Sequence, residues 1–374
     1  MLLTMELNNQ SQKAGDSSTQ MQATTIVNNY NSIGIDEKRA RLICKEEFAV
    51  ACRELTHEAC DIATERVHKL ENKLLPKMQQ YDKSLEAFAD PSFQLTLQKA
   101  QLVAAASERE NDYDLLSELL LHRTKEGHDR FRRLGITKAI EIVDQVSDEA
   151  LVALTLAYAF PKFVPTSKKL SDGLNFLNQF YAKMIGQTKL PIDDKWLEHL
   201  DLLSVIRLGI KNINSFKKVK DVTPLIFSDF FIEGIKANSP ELGTIKDEFV
   251  KNGLSLVNFV PHQFRNGYVV LDLPNNIDDC CIIKKLHAGQ QFTMPLADNL
   301  KDLIRKSANT INKKNIEDKE LQDCFMSKWN SYNSLKKIGE WWDVIPCHFT
   351  ITPVGQALAN SYIHGKDSSI PLMY

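Results

Sequence analysis

Long apolar runs are missing from this 374-residue sequence. The longest, Leu151 to Phe160 (LVALTLAYAF), is cut off by Pro161 and is about half the length a membrane-spanning helix needs. We therefore expect no membrane span and read the stretch as a buried core helix. Met1 to Asn9 have neither the basic start nor the apolar run of a secretory signal. Cysteine is sparse: seven residues without framework spacing exclude a disulfide scaffold and suit a reducing, cytoplasmic setting. Neither charge is in excess, since 46 Lys and Arg face 48 Asp and Glu for a net −2. A global electrostatic hold on nucleic acid or an anionic membrane is not indicated.

Catalytic signatures are lacking as well. There is no glycine-rich phosphate cradle, no local signature of a Ser-His-Asp arrangement and no zinc-knuckle spacing. Cys44, Cys52 and Cys60 recur at eight-residue steps, which rotate progressively around a helix, and His57 with Cys60 makes only two ligands. Cys280-Cys281 is a vicinal pair, and Cys347-His348 alternates in a strand so that the side chains point apart. Glu108 and Asp112 share a helix face, but beside Arg109 they read as a solvated turn or an inter-helix salt bridge. The sequence thus predicts no catalytic, cofactor-binding or metal-binding residues and no cofactor. It suits a binding protein better than an enzyme, an enzyme with an unrecognised site being the third reading.

What is present divides into four parts. Residues 1–34 form a polar, β-prone assembly segment: Asn, Gln, Ser and Thr dominate, and Thr19 to Tyr30 is rich in β-branched residues without proline. A strand polar on both faces buries little alone, whereas copies in register pair their backbones and stack Asn and Gln ladders. Residues 35–89 form a long amphipathic helix with apolar positions mostly three or four apart, which Pro76 is expected to kink or divide. Residues 90–260 form an α-helical body, with helices expected over 93–123, 134–146, 148–160, 171–185, 195–213, 225–237 and 242–260. Residues 261–374 form a small α+β domain. Its expected strands are Tyr268 to Leu273, Cys280 to Leu286 and Pro346 to Ile351, and its last helix starts at Thr352-Pro353.

The fold class is therefore mainly α, with an N-terminal polar β-strand, a long helix, a helical array and a small C-terminal α+β domain. A strand that needs partners leads into a helix long enough to bundle with the same partners. That points to a homo-oligomer held by Thr19, Met21, Ile26, Val27, Tyr30, Leu55, Ile62 and Leu70. The basic run from His122 to Arg133 is the candidate nucleic-acid or phosphate contact, through Arg123, Lys125, Arg130, Arg132 and Arg133. Glu126 and Asp129 within it also fit a charge-balanced loop between helices.

The ending, Phe349-Thr350-Ile351-Thr352-Pro353-Val354-Gly355, resembles the closing strand and helix of winged-helix domains. That resemblance implies a nucleic-acid-binding regulator or a protein-contact module. The overall plan resembles bacterial abortive-infection proteins of the Abi-alpha kind. The matching pieces are Leu115-Leu116-Ser117-Glu118-Leu119-Leu120, Asp148-Glu149-Ala150-Leu151 and Thr352-Pro353-Val354-Gly355. The polar strand, the long helix and the acidic residues before Leu115 depart from that plan. Gly15 to Asn31 resembles the Asn/Gln-rich assembly motifs of some bacterial immune signalling proteins. Together these resemblances imply a self-assembling, non-enzymatic scaffold or sensor in antiphage or stress defence that binds a protein trigger or partner.

Overall fold

The computed structural model describes residues 35–52, 55–82, 85–126, 129–167, 169–209, 217–274, 276–279, 281–285 and 291–372. The expected polar strand, with Thr19, Met21, Ile26, Val27 and Tyr30, lies outside them. The chain is mainly α, and helices make up about two thirds of the described residues.

The long helix expected over 35–89 is two helices, α1 (Glu37–Ala51) and α2 (His57–Tyr81). The break falls at Thr56, whose extended backbone and Oγ1, accepting from the Ala59 N–H, start a new helix. Pro76 does not divide α2. It is solvent-exposed, as is Asn72 four residues before it, so the hydrogen bond that proline removes falls where water can replace it. A short 3-10 turn, Glu86–Ala89, leads to α3 (Pro91–Ala106), which Asp90 caps. Next come α4 (Glu110–Lys125), α5 (Arg130–Ile140) and α6 (Asp148–Ala159). Ser147 caps α6 as expected, and every residue from Ala150 to Ala159 is buried. This core helix is packed on all sides.

The helices α7 (Leu170–Ile185) and α8 (Lys195–Leu202) follow. The expected run to 213 stops early because Ser204 takes a left-handed backbone, φ 60°. There the Ser204 N–H reaches the Asp201 carbonyl and the Val205 N–H reaches that of Leu200, a Schellman end built without glycine. The chain turns instead into β1 (Ile206–Leu208).

After α9 (Val219–Ile226) the chain leaves the helical body. It builds β2 (Ile235–Lys236), α10 (Pro240–Lys251), β3 (Phe259–Pro261), β4 (Tyr268–Leu271), β5 (Cys281–Lys285), β6 (Gln291–Pro295) and α11 (Asp298–Ile311). The strands β2, β4 and β3 make one antiparallel sheet in that order, and β5 pairs with β6. The sheet and its two helices have a separate small core of Ile235, Leu242, Phe249, Leu271, Leu296, Ile304 and Ile311. Ile232 bridges Lys314, and the Asn315 N–H donates to Phe231, so the outgoing and returning chains lie side by side. This lobe is an insertion.

The remaining helices, α12 (Lys319–Asn330), α13 (Asn333–Trp342) and α14 (Pro353–Lys366), belong to the main core, as does β7 (Phe349–Ile351). The boundary expected at 261 therefore cuts through the insertion, and 261–374 is not a separate domain. The strand β7 pairs with β1, from 143 residues earlier in register Ile206 with Ile351, and α14 packs against α4, α5 and α6. Nor is 35–89 a separate part, because α1 and α2 pack on α3 and α4 within the same core. Thr352 does cap α14 with Pro353 in its first turn, as the sequence predicts.

The close approach of α14 to the end of α8 needs Gly355. A β-carbon there would run into the Val205 carbonyl oxygen and lie 2.8 Å from Ile351 Cγ2. Gly355→Ala is expected to cost about 1–3 kcal/mol. Gly243→Ala in α10, where the new methyl meets nothing within 4 Å, should be neutral or slightly stabilising. Thermal melts followed by circular dichroism check the pair; equal melting temperatures would contradict the packing described.

Candidate functional site

An acid inside a leucine run needs a partner, and the fold supplies two. Glu118 is buried on α4 among Leu115, Leu116, Leu119, Leu120 and Leu121. Its carboxylate takes Lys77 Nζ from α2 at 2.7 Å and His364 Nδ1 from α14 at 2.7 Å. Lys77 also donates to Ser117 Oγ at 2.7 Å. One turn further along α4, His122 Nδ1 lies 3.2 Å from Ser361 Oγ and its Nε2 lies 3.6 Å from Glu126. Asn360 Nδ2 donates to the Tyr158 hydroxyl at 2.9 Å. These residues form a polar seam between α4 and α14. Ser361, His122 and Glu126 follow one another as nucleophile, base and acid would, yet Ser361 and His122 are wholly buried. The seam orients helices; it does not face a substrate.

The acids singled out earlier are structural. Asp112 is buried and takes the Ser107 hydroxyl and the Arg109 guanidinium, and burial pushes its carboxyl up from the usual range. Arg109 also reaches the carbonyls of Val143, Asp144 and Val146. Glu108 points outward to Arg66 at 3.0 Å. With Arg109 also 3.3 Å from Asp148, the arrangement is a staple between the α3–α4 turn and the start of α6.

The basic run is drawn inward rather than spread on one face. Arg123 is 6% exposed and donates through Nη2 to Ser92 Oγ at 2.8 Å. Arg133 on α5 donates through Nη2 to the same oxygen at 2.6 Å. Arg132 pairs with Glu126 and Asp129, and Lys125 Nζ sits 4.9 Å from the Tyr81 ring centre. Only Arg130 of the five is a fully solvent-facing cation without a described partner of that kind among the described residues. Arg123 and Arg133 line a cleft of about 280 Å³ with Met78, Tyr81, Asp90 and Phe93. Ser92 was not anticipated, because it stands 31 residues from Arg123 and reads locally as an ordinary residue of a helix start.

Of the expected assembly residues, Leu55 and Ile62 are half exposed. Leu70 is fully buried in the chain's own core, because the stripe on α2 turns inward there to meet α3 and α4, and it offers nothing to a partner. A larger cleft of about 1590 Å³ lies between the insertion and the body, lined in part by Val164, Phe230, His262, Phe264 and Lys328. His262 in it is held by backbone: Nε2 donates to Ile232 and Nδ1 accepts from Phe264 and Arg265. Burial pulls its pKa down, and the ring has no nitrogen left for proton transfer.

A family model described only as "-like", for a family of unknown function, matches residues 34–373, and the chain belongs to that family. The match starts where the polar segment gives way to α1. No curated protein and no solved structure matches the chain.

The seam makes stability depend on pH. Burial, with repulsion from Lys125, His364 and Arg132, holds the His122 pKa down to about 3. An unfolded histidine takes its proton at about pH 6.5. Below that the unfolded chain binds a proton that the native one refuses, so stability falls as pH drops from about 6.5 toward 3. His122→Gln should flatten this acid limb in melts taken from pH 7 to 4. Parallel profiles for the two proteins would contradict a neutral buried His122.

Proposed function

We propose that this chain is a self-assembling, non-enzymatic scaffold or sensor in bacterial antiphage or stress defence, acting in the cytoplasm on a protein trigger or partner. The observation that carries the assembly reading is a series of apolar side chains left at the surface of the first two helices and their junction. Leu42 is 45% exposed, Val50 53%, Leu55 44% and Ile62 54%. They follow directly on the polar segment, and a second copy of the same chain is the occupant we assign to them.

Magnitudes decide which element must lead. Burying the exposed halves of four such side chains is worth about 4 kcal/mol in all. Association costs roughly 4–15 kcal/mol in lost freedom. The helices alone do not hold copies together, whereas a ladder of polar strands beside them raises their effective concentration. The defence assignment is supported by the Abi-alpha-like plan and by the Asn/Gln-rich assembly motif. The cytoplasmic assignment is supported by the free thiols of Cys44, Cys52, Cys60 and Cys324. Among the described residues no helix is long and apolar enough to cross a membrane.

Multi-angle light scattering tests the reading on the full chain, on a chain beginning at Asp36, and on the double substitution Ile26→Lys with Val27→Lys. The account expects a defined oligomer for the first and monomers for the other two. A monomeric full chain, or an unchanged mass for the double lysine variant, would remove the assembly reading.

A further inference from the structure

Two guanidinium groups meet at one neutral oxygen. Arg123 from α4 and Arg133 from α5 both donate to the hydroxyl of Ser92, in the first turn of α3. Like charges this close repel, and Arg123 is more than nine-tenths buried, where an ion loses most of its hydration. Burial, then repulsion from Arg133, depresses the Arg123 pKa, and the Asp90 carboxylate offsets them only in part. Among the described residues Arg123 Nε has no hydrogen-bond partner. A hydroxyl is a weak acceptor for the buried Arg123 guanidinium, and an oxyanion placed there would also lie within reach of Arg133.

The surroundings say what kind of anion. Met78 and Phe93 give the cleft a buried apolar floor, and the exposed Tyr81 ring stands on its wall. Asp82 and Asp90 also line it. Both cap backbone, Asp82 taking the Glu86 N–H at 3.3 Å and Asp90 the Ser92 N–H at 3.1 Å. The two guanidiniums converge on a single point, so they can seat one phosphate and not the chain of phosphates that a nucleic-acid strand presents. One anionic group on a small apolar or planar body satisfies both halves of the cleft. The volume of about 280 Å³ suits a ligand of that size.

We infer that the cleft between α2, α3, α4 and α5 is a binding site for a small phosphomonoester, with Arg123 and Arg133 holding the phosphate in place of Ser92 and with Tyr81 and Phe93 against its organic body. Planar guanidinium forks match phosphate oxygens two at a time, and the freed Ser92 hydroxyl can donate to the same group. The inference is independent of how copies of the chain assemble.

Isothermal titration calorimetry on the full-length protein tests it with inorganic phosphate, phenyl phosphate and a twenty-nucleotide single strand as probes. Phenyl phosphate should bind at least tenfold more tightly than inorganic phosphate, and both more tightly than the strand does per site. Because loss of the buried Arg123 risks misfolding, the variant is Arg133→Gln, whose side chain is only half-buried. It should weaken phenyl phosphate at least tenfold while circular dichroism stays that of the parent. Asp90→Asn, which keeps the helix cap, should strengthen binding. No heat with either phosphate, equal binding by Arg133→Gln, or a strand that outcompetes phenyl phosphate would each overturn the assignment.

Discussion

The burial of α14 against α4, α5 and α6 holds the rest of the structure in place. It is a long-range contact made by the last helix on helices more than two hundred residues earlier. It also demands that α4 accept a partner on a face where Glu118 and His122 interrupt the leucines. Breaking a buried ion pair by removing one partner costs about 3–5 kcal/mol. The Glu118 carboxylate has Lys77 and His364 on its two oxygens and so ties α2, α4 and α14 in one register. A β-carbon at Gly135 would lie 3.1 Å from Pro353, so the absence of a side chain there sets how closely α5 seats against the start of α14. The position of Arg133 opposite Arg123 follows from that seat.

The same contact explains the layout of the chain. With α14 in the middle of the body, the α+β segment between α9 and α12 can only be an insertion, entered and left at Phe231–Glu233 and Lys313–Asn315. Aromatic packing joins it to the core: Phe231 and Phe264 both meet Phe325, which packs on Phe227 and Trp329. On the other side, α2 runs between the two features we assign to function. Ile62 lies near its start and Tyr81 at its end, about 28 Å apart at helical rise.

Much of this was legible locally, and what was not has a common cause. Ser147 and Thr352-Pro353 announce their helices because a cap acts within three residues. The stretch from Leu151 to Phe160 reads as a core helix because it is apolar on every face. The break at Thr56 was hidden by an apolar rhythm that continues across it, and the early end of α8 by a serine doing the work of a glycine. The strands β1 and β2 are three and two residues long and exist only through pairing with distant partners. For the candidate site, the basic run pointed to the right segment but not to its use. Arg123 and Arg133 are turned inward by α3, whose Ser92 carries no signal of its own. The seam had one trace in the sequence, Ser117-Glu118 amid leucines, and its partners Lys77 and His364 could only be supplied by the fold.

The central claim is that α14 closes a single core rather than a detachable C-terminal domain. Native-state hydrogen exchange at graded denaturant addresses it directly. The amides of 115–122 in α4 and 357–363 in α14 should share one opening free energy, at the level of global unfolding. Opening of 357–363 well below that level, with 115–122 still protected, would contradict the account.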